Sequence, residues 1–219
     1  MLSLSVKTAL ASAALLAATA AHAELITFTS EAAYLAAVGT TGVDNFDDLD
    51  IEPYDGPLIR EAGSYGYTAE VGPSTPIFFG AGDDGSDWWL SSNSRQDTIT
   101  FSDFTGGSIA GAGGYFFGSD IEGFSTSAGS ITISATDSTG ATLTYTIDTP
   151  GVSSFVGFVS TAEITSLSFS VGNQPGVWPT VNDLHLSVSA VPEPATYGMM
   201  LAGLGLLGFA ARRKAHKAA

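Results

Sequence analysis

Strict alternation of apolar with small polar residues most constrains what this chain can fold into. It occurs twice in close succession: as Ile-Thr-Ile-Ser-Ala-Thr at 131–136 and as Leu-Thr-Tyr-Thr-Ile at 143–147, with a turn at 137–140 between them. A period of two places successive side chains on opposite faces of a β-strand. The pattern therefore predicts an antiparallel hairpin that buries one face and exposes the other.

Shorter stretches of the same kind, together with one helical signal, extend this prediction to residues 24–190. A short helix is predicted after Ser30, which has the properties of an N-cap, with Glu31 in the first turn and Gly39 beyond the end. The residues in between predict a mainly β fold: an antiparallel, jelly-roll-like β-sandwich with one short N-terminal helix. The further predicted strands lie near 25–29, 98–102, 109–117, 153–159, 164–171 and 181–188.

The first 23 residues have the pattern of a signal peptide. Lys7 is followed by an apolar run at 8–20, and Ala21 and Ala23 supply the small residues that signal peptidase accepts. A buried or membrane helix is the alternative, but the run is short for one. We expect cleavage after Ala23, which makes 24–190 the exported domain.

The segment 191–219 combines three features in a fixed order. Pro192, Glu193 and Pro194 form a stiff extended piece, 197–211 is apolar, and a cluster of basic residues follows. An apolar helix at 197–211 would be about 22 Å long, against about 30 Å of hydrocarbon in a bilayer. The basic residues after it favour a transmembrane helix with its C-terminal end in the cytoplasm.

This order resembles the PEP-CTERM sorting signal of Gram-negative bacteria. The resemblance covers 191–217 and implies that an exosortase recognises and cleaves the segment at Pro192, Glu193 and Pro194. It also implies a transient anchor in the inner membrane, followed by a location at the cell surface or outside the cell. Nothing about the domain at 24–190 follows from it.

The exported domain is strongly acidic. It contains 21 of the 22 acidic residues and only two basic residues, Arg60 and Arg95, so its formal charge is −19. Such a surface repels nucleic acid and anionic lipid, whereas cations and neutral glycans suit it, and we expect no nucleic-acid partner.

The domain also lacks most catalytic side chains. The chain has no Cys, and the domain has no Lys and a single His, His185, which we expect at the surface. Disulfides, thiolate sites and multi-His zinc sites are therefore excluded. A pair of carboxylates, as in glycosidases, is the chemistry left. Because no motif marks such a pair, we predict that the protein is not an enzyme.

Two groups of residues are candidates for ligand binding. Asp47 and Asp48, in an acidic stretch, and Asp183, near the last strand, predict a structural calcium site of the kind found in jelly-roll carbohydrate-binding modules, which the domain resembles in general architecture. The alternative, a solvated acidic loop, is favoured. Trp88 and Trp89 point to opposite faces of a strand, so one of them is expected to face outward and stack on a sugar. The alternative is that the segment 53–96 covers both.

These observations predict an exported, exosortase-processed protein with a non-catalytic β-sandwich that associates with exopolysaccharide. Two alternatives stay open. One is a secreted carbohydrate-active enzyme that uses two carboxylates, and the other is a structural or adhesive protein that assembles with its own copies through open sheet edges.

Overall fold

The computed structural model describes residues 24–190 apart from 84 and 86, and also Leu204. Within these residues two antiparallel β-sheets pack against each other, and one helix, α1 (Glu31–Ala37), follows the first strand. The predicted mainly β sandwich with a short N-terminal helix is confirmed. The predicted signal peptide at 1–23 lies outside the described residues, as does the predicted transmembrane helix at 197–211 apart from Leu204. No helix within the described part of the chain is long and apolar enough to cross a membrane.

The larger sheet has nine strands. Their order is β1-β13-β9-β15-β7-β6-β3, with β10 beside β9 and β2 beside β15. The strands are β1 (Leu25–Phe28), β2 (Val38–Asp44), β3 (Pro53–Asp55), β6 (Ile77–Asp83), β7 (Asp87–Ser92), β9 (Ile109–Ser119), β10 (Ser125–Thr126), β13 (Phe155–Ser160) and β15 (Trp178–Ser189).

The smaller sheet has six strands in the order β12-β11-β14-β8-β5-β4. The predicted hairpin is its β11–β12 pair, in which Ile131 lies opposite Ile147 and Ile133 opposite Tyr145. The strands are β4 (Leu58–Ala62), β5 (Tyr65–Gly72), β8 (Thr98–Ser102), β11 (Ser130–Asp137), β12 (Thr142–Asp148) and β14 (Ile164–Ser170).

The main core lies between the two sheets. Phe169 of the small sheet packs on Phe116 of the large sheet with ring centroids 4.9 Å apart, and on Phe101 of the neighbouring strand at 6.1 Å. All three rings are buried. Each such side chain contributes about 1.5–3 kcal/mol of stability through its burial.

The helix α1 covers part of the outer face of the large sheet. Ser30 caps it by accepting a hydrogen bond from the backbone N–H of Ala33. Tyr34 is buried beneath it, and a Cβ at Gly157 of β13 would come within 2.5 Å of the Tyr34 ring, so only glycine fits there. Gly39 lies beyond the end of the helix, as predicted: the helix stops at Ala37, and the chain turns extended at Val38 to pair with β15 as β2.

The long strand β15 is irregular at Asp183. It pairs with β9 along one side, whereas its other side is shared by β7 and β2. The register with β9 shifts between Asn182 and His185, where Asp183 has a φ of 47°. Asp is one of the few residues that enter this left-handed region readily. After this bulge, Leu184 and Leu186 enter the main core, and His185 faces the opposite side of the sheet.

Candidate functional site

The residues predicted for sorting and cleavage lie outside the described part of the chain. This holds for Pro192, Glu193 and Pro194 and also for the signal-cleavage residues Ala21 and Ala23. Signal cleavage after Ala23 therefore stays a prediction.

Asp48, one of the predicted calcium ligands, forms a salt bridge with Arg60. Arg60 Nη2 lies 2.6 Å from Asp48 Oδ1, and Arg60 Nε lies 2.7 Å from the buried Asp44. The Tyr67 hydroxyl donates to the same Asp44 carboxylate at 2.6 Å, and the guanidinium lies over the Phe46 ring. The hydrogen bond from Arg60 lowers the pKa of Asp48. This network fixes the start of the acidic stretch to the small sheet.

Asp183 lies near several other carboxylates. Burial raises its pKa; the nearby His185 acts in the opposite direction, and the carboxylates of Asp87, Glu31 and Asp47 raise the pKa further. Among the described residues, no three His, Asp or Glu side chains are arranged to hold a metal ion. A calcium site formed by Asp47, Asp48 and Asp183 therefore has no preformed ligand set in the structure, and calcium binding stays a prediction.

His185 is not at the surface, contrary to the sequence expectation. It is only 3% exposed, because α1 covers the side of the sheet to which it points. Its Nδ1 lies 2.6 Å from the Asp183 carbonyl oxygen and its Nε2 lies 3.1 Å from Glu31 Oε1. The Tyr115 hydroxyl donates to the other oxygen of Glu31 at 2.7 Å, and this bond is the main cause that lowers the pKa of Glu31. The single histidine of the domain thus connects α1 to β15.

Only Trp88 of the tryptophan pair is accessible. Trp89 is 1% exposed, packs edge-on against Phe117 with ring centroids 5.1 Å apart, and donates from Nε1 to the carbonyl of Gly123 at 3.0 Å. Trp89 therefore offers no ring face to a ligand, and stacking on it is ruled out in this conformation. Trp88 is half-buried at the start of β7, so the stacking hypothesis now depends on Trp88 alone.

The outer face of the small sheet carries rows of hydroxyl groups that run across the strands. In one row, Ser134 lies between Thr144 and Ser168, and Ser168 lies opposite Thr100. The next row crosses five strands and consists of Thr142, Thr136, Ser166, Ser102 and Thr68. We call this surface the hydroxyl face; its residues are Thr68, Thr98, Thr100, Ser102, Thr132, Ser134, Thr136, Thr142, Thr144, Thr146, Ser166, Ser168 and Ser170.

Hydrogen bonds between strands order part of the hydroxyl face. The closest pair is Ser134 with Thr144, at 2.8 Å between hydroxyl oxygens, and Thr136 pairs with Thr142 at 2.9 Å. Neighbouring strands lie about 4.8 Å apart, so the hydroxyls of a row repeat at that interval. The only charged residue within these rows is Glu70, at the end of one of them. The face is thus a broad neutral area on a domain of charge −19.

The sequence predicted that Ser and Thr face outward but not that they form rows. One row combines residues as distant in sequence as Thr68 and Thr142, and the alignment of each row depends on the order and register of the strands. The repeated Ser/Thr alternation in four separate strands is the signal that could have suggested a shared face.

The comparisons with known proteins identify only the C-terminal segment. Residues 190–214 match the PEP-CTERM protein-sorting motif, which contains Pro192, Glu193 and Pro194. No curated protein and no solved structure matches the chain. The motif implies export, processing by an exosortase, a transient C-terminal membrane anchor and then a surface or extracellular location.

Proposed function

We propose that this exosortase-targeted protein is a non-catalytic component of the cell surface or extracellular matrix that associates with neutral exopolysaccharide through the hydroxyl face. The observation that supports the proposal is the contrast in charge. A continuous surface of Ser and Thr hydroxyls, with Glu70 only at its margin, lies on a domain whose formal charge is −19.

The chemistry of the hydroxyl face suits a long neutral polymer. Each hydroxyl can both donate and accept a hydrogen bond, as can each hydroxyl of a sugar. One such bond contributes only about 0.5–1.5 kcal/mol net, so useful affinity requires many contacts at once. A row that crosses five strands is about 19 Å long, which allows several successive sugar rings to bind the same row. We expect affinity to increase with the length of the polymer.

The acidic side chains that are brought together support a structural role rather than a catalytic one. Asp44 and Asp48 share Arg60, and Glu31 accepts from Tyr115 next to His185. A glycosidase needs two carboxyl groups that face a common substrate, about 5–10 Å apart. Carboxylates engaged in such networks are poorly suited to act as that pair.

Retention on immobilised polysaccharide tests the proposal. The full chain, purified in mild detergent, is passed over neutral β-glucan and over anionic alginate, and we expect retention on the neutral polymer only. Ser168→Asp places a carboxylate in the middle of the hydroxyl face and should abolish retention. Ser153→Asp, in an exposed turn outside the face, adds the same charge and should leave retention unchanged.

Two outcomes would contradict the proposal. The first is equal retention of the Ser168→Asp and Ser153→Asp proteins, since the added charge at the face would then have no specific effect. The second is the absence of retention on a panel of neutral polysaccharides that differ in linkage and sugar. Release of reducing sugar during the experiment would instead favour the carbohydrate-active enzyme.

A further inference from the structure

A groove on the outer face of the large sheet has the features of a site for one sugar ring. Its volume is about 220 Å³. We call it the Trp178 groove. The residues that matter here are Phe79, Ser91, Asn93, Ser119, Asp120 and Trp178. They come from β6, β7, β9 and β15 and from the loops after β7 and β9.

The Trp178 ring forms one wall of the groove and is fixed in position by hydrogen bonds. The ring is half-buried, and its Nε1 donates to the carbonyl of Asn93 at 3.4 Å. The loop that leads into it is fixed by Arg95, whose Nη1 donates to Asn173 at 2.5 Å and to the carbonyl of Gln174 at 3.4 Å. The ring lies beside the β7–β8 loop, with part of its surface facing the groove. An aromatic ring held in this way can stack on the apolar face of a sugar.

Ser91 and Ser119 line the groove, and both hydroxyls lie within hydrogen-bond distance of the buried Thr180 hydroxyl. Thr180 Oγ1 lies 2.7 Å from Ser119 Oγ, and Ser91 Oγ lies 3.2 Å from the carbonyl oxygen of Pro179. Each hydroxyl has one proton. If Thr180 donates to Ser119 and Ser91 donates to Pro179, the proton of Ser119 is directed either to Ser91, at 3.2 Å, or into the groove. Ser119 can therefore donate to a ligand without leaving its two neighbours unpaired.

The rim supplies acceptors for sugar hydroxyls. Asp120 Oδ1 accepts from the backbone N–H groups of Glu122 and Phe124, each at 3.0 Å. Within the described part of the chain, neither Asp120 Oδ2 nor the side-chain amide of Asn93 has a hydrogen-bond partner. Ile121, which is 72% exposed, adds an apolar edge on the same side. Two other clefts, around Pro57 and Arg60, have no aromatic residue in their lining, and in a third the only ring, Phe117, is 1% exposed.

We propose that the Trp178 groove binds a single neutral sugar ring, stacked on Trp178, with its hydroxyls donating to Asp120 and accepting from Ser119. The volume supports one ring, because pockets for larger ligands measure about 300–1,000 Å³. A carboxylate at the rim disfavours anionic sugars. The proposal shares its ligand class with the proposed function, but it concerns a separate site on the opposite sheet, so that either can fail alone.

Titration of the full chain with monosaccharides tests the groove. Glucose, galactose, mannose and N-acetylglucosamine are titrated into the protein in mild detergent, and binding is followed by calorimetry and tryptophan fluorescence. We expect at least one of them to bind, and Trp178→Ala to weaken that binding at least tenfold, the loss typical of a central aromatic anchor. The matched control is Trp88→Ala, which removes a half-buried tryptophan ring outside the groove and should leave the affinity unchanged.

Further variants keep the proposal falsifiable if Trp178→Ala does not fold. Trp178→Phe retains an aromatic ring and should bind with intermediate affinity. Asp120→Asn keeps an oxygen for the two backbone donors and should weaken binding several-fold. The proposal is overturned if none of the four sugars binds, or if Trp178→Ala and Trp88→Ala bind equally well. Ser168→Asp should bind monosaccharides normally, and Trp178→Ala should still be retained on polysaccharide, which separates this site from the hydroxyl face.

Discussion

The outer faces of the two sheets differ although both follow the same period-two rule. On the large sheet, outward-facing residues such as His185, Trp89 and Ser187 are buried, because α1 and the segment 120–124 lie over them. On the small sheet, outward-facing residues are the partly exposed Ser and Thr of the hydroxyl face. Alternation in a sequence therefore tells which residues share a face, but the covering segments decide whether that face contacts solvent.

Removal of Trp89 should have the largest effect on the covered face. Trp89→Ala deletes a fully buried ring and leaves a cavity next to Phe117, so we expect a loss of about 3–5 kcal/mol in the free energy of unfolding. Urea denaturation measures the loss. Trp88→Ala is the matched control, because its ring is half-buried, and it should lose clearly less. Equal losses would mean that segment 120–124 does not seal the face in solution.

Gly157 tests the contact between α1 and the large sheet. In Gly157→Ala the added methyl group would come within 2.5 Å of the Tyr34 ring, and the resulting overpacking should cost about 1–3 kcal/mol. The control is Gly151→Ala, since a Cβ at Gly151 contacts nothing within 4 Å. Thermal unfolding of both variants checks the prediction, which fails if the two midpoints agree.

A Ser→Ala substitution on each outer face should affect stability to different extents. Ser187 is fully buried and pairs with the Tyr34 hydroxyl at 2.8 Å, so Ser187→Ala leaves a buried polar group with fewer partners and should cost about 1–3 kcal/mol. Ser168→Ala, on the hydroxyl face, should change stability by no more than about 0.5 kcal/mol. Denaturant unfolding of the pair gives the difference directly, and a large loss for Ser168→Ala would show that the hydroxyl face is not free.

Asp183 and Glu31 should respond to pH with opposite signs. The pKa of Asp183 is raised in the folded protein, so its stabilising contribution exists when the carboxyl is protonated and is lost as the pH rises through the folded pKa. Asp183→Asn removes the charge and keeps a residue that tolerates the left-handed backbone, and it should raise the melting temperature at pH 7. The gain should disappear in acid.

Glu31→Gln is the counterpart. The pKa of Glu31 is lowered in the folded protein, so its contribution is present above the unfolded pKa and is lost as the pH falls through the folded pKa. This variant should melt earlier than the parent at pH 7 and approach it in acid. Melting curves from pH 3 to 7 measure both variants, and shifts of the same sign in both would contradict the assignment.

Local elements were predictable from the sequence, whereas contacts between distant segments were not. The β11–β12 hairpin and the helix start at Ser30 follow from alternation and capping within a few residues. The strand β2 directly after the helix was not predicted, because it forms by pairing with β15, some 150 residues later in the chain. His185 was misplaced for the same reason, since its cover comes from Glu31 and Tyr34.

In the candidate sites, too, local features were predictable from the sequence and contacts between distant segments were not. The outward direction of Ser134 and Thr144 was visible in the sequence, but the row that they form with Ser168 requires the strand order. The Trp178 groove was not predictable, because Ser91, Ser119 and Trp178 approach one another only through the pairing of β7 and β9 with β15. The sorting motif is the opposite case: it is contiguous in sequence and could be identified without a structure.

The position of β15 determines how the domain responds to a pull on its C-terminus. This strand ends at Ser189, directly before the sorting motif at 190–214, and it lies between β9 and β2. A chain held by its tail is therefore stretched along an interior strand, so the hydrogen bonds on both sides are sheared together instead of being opened one at a time. While the anchor is still attached, mechanical tension would be borne by the centre of the large sheet and not by an edge strand.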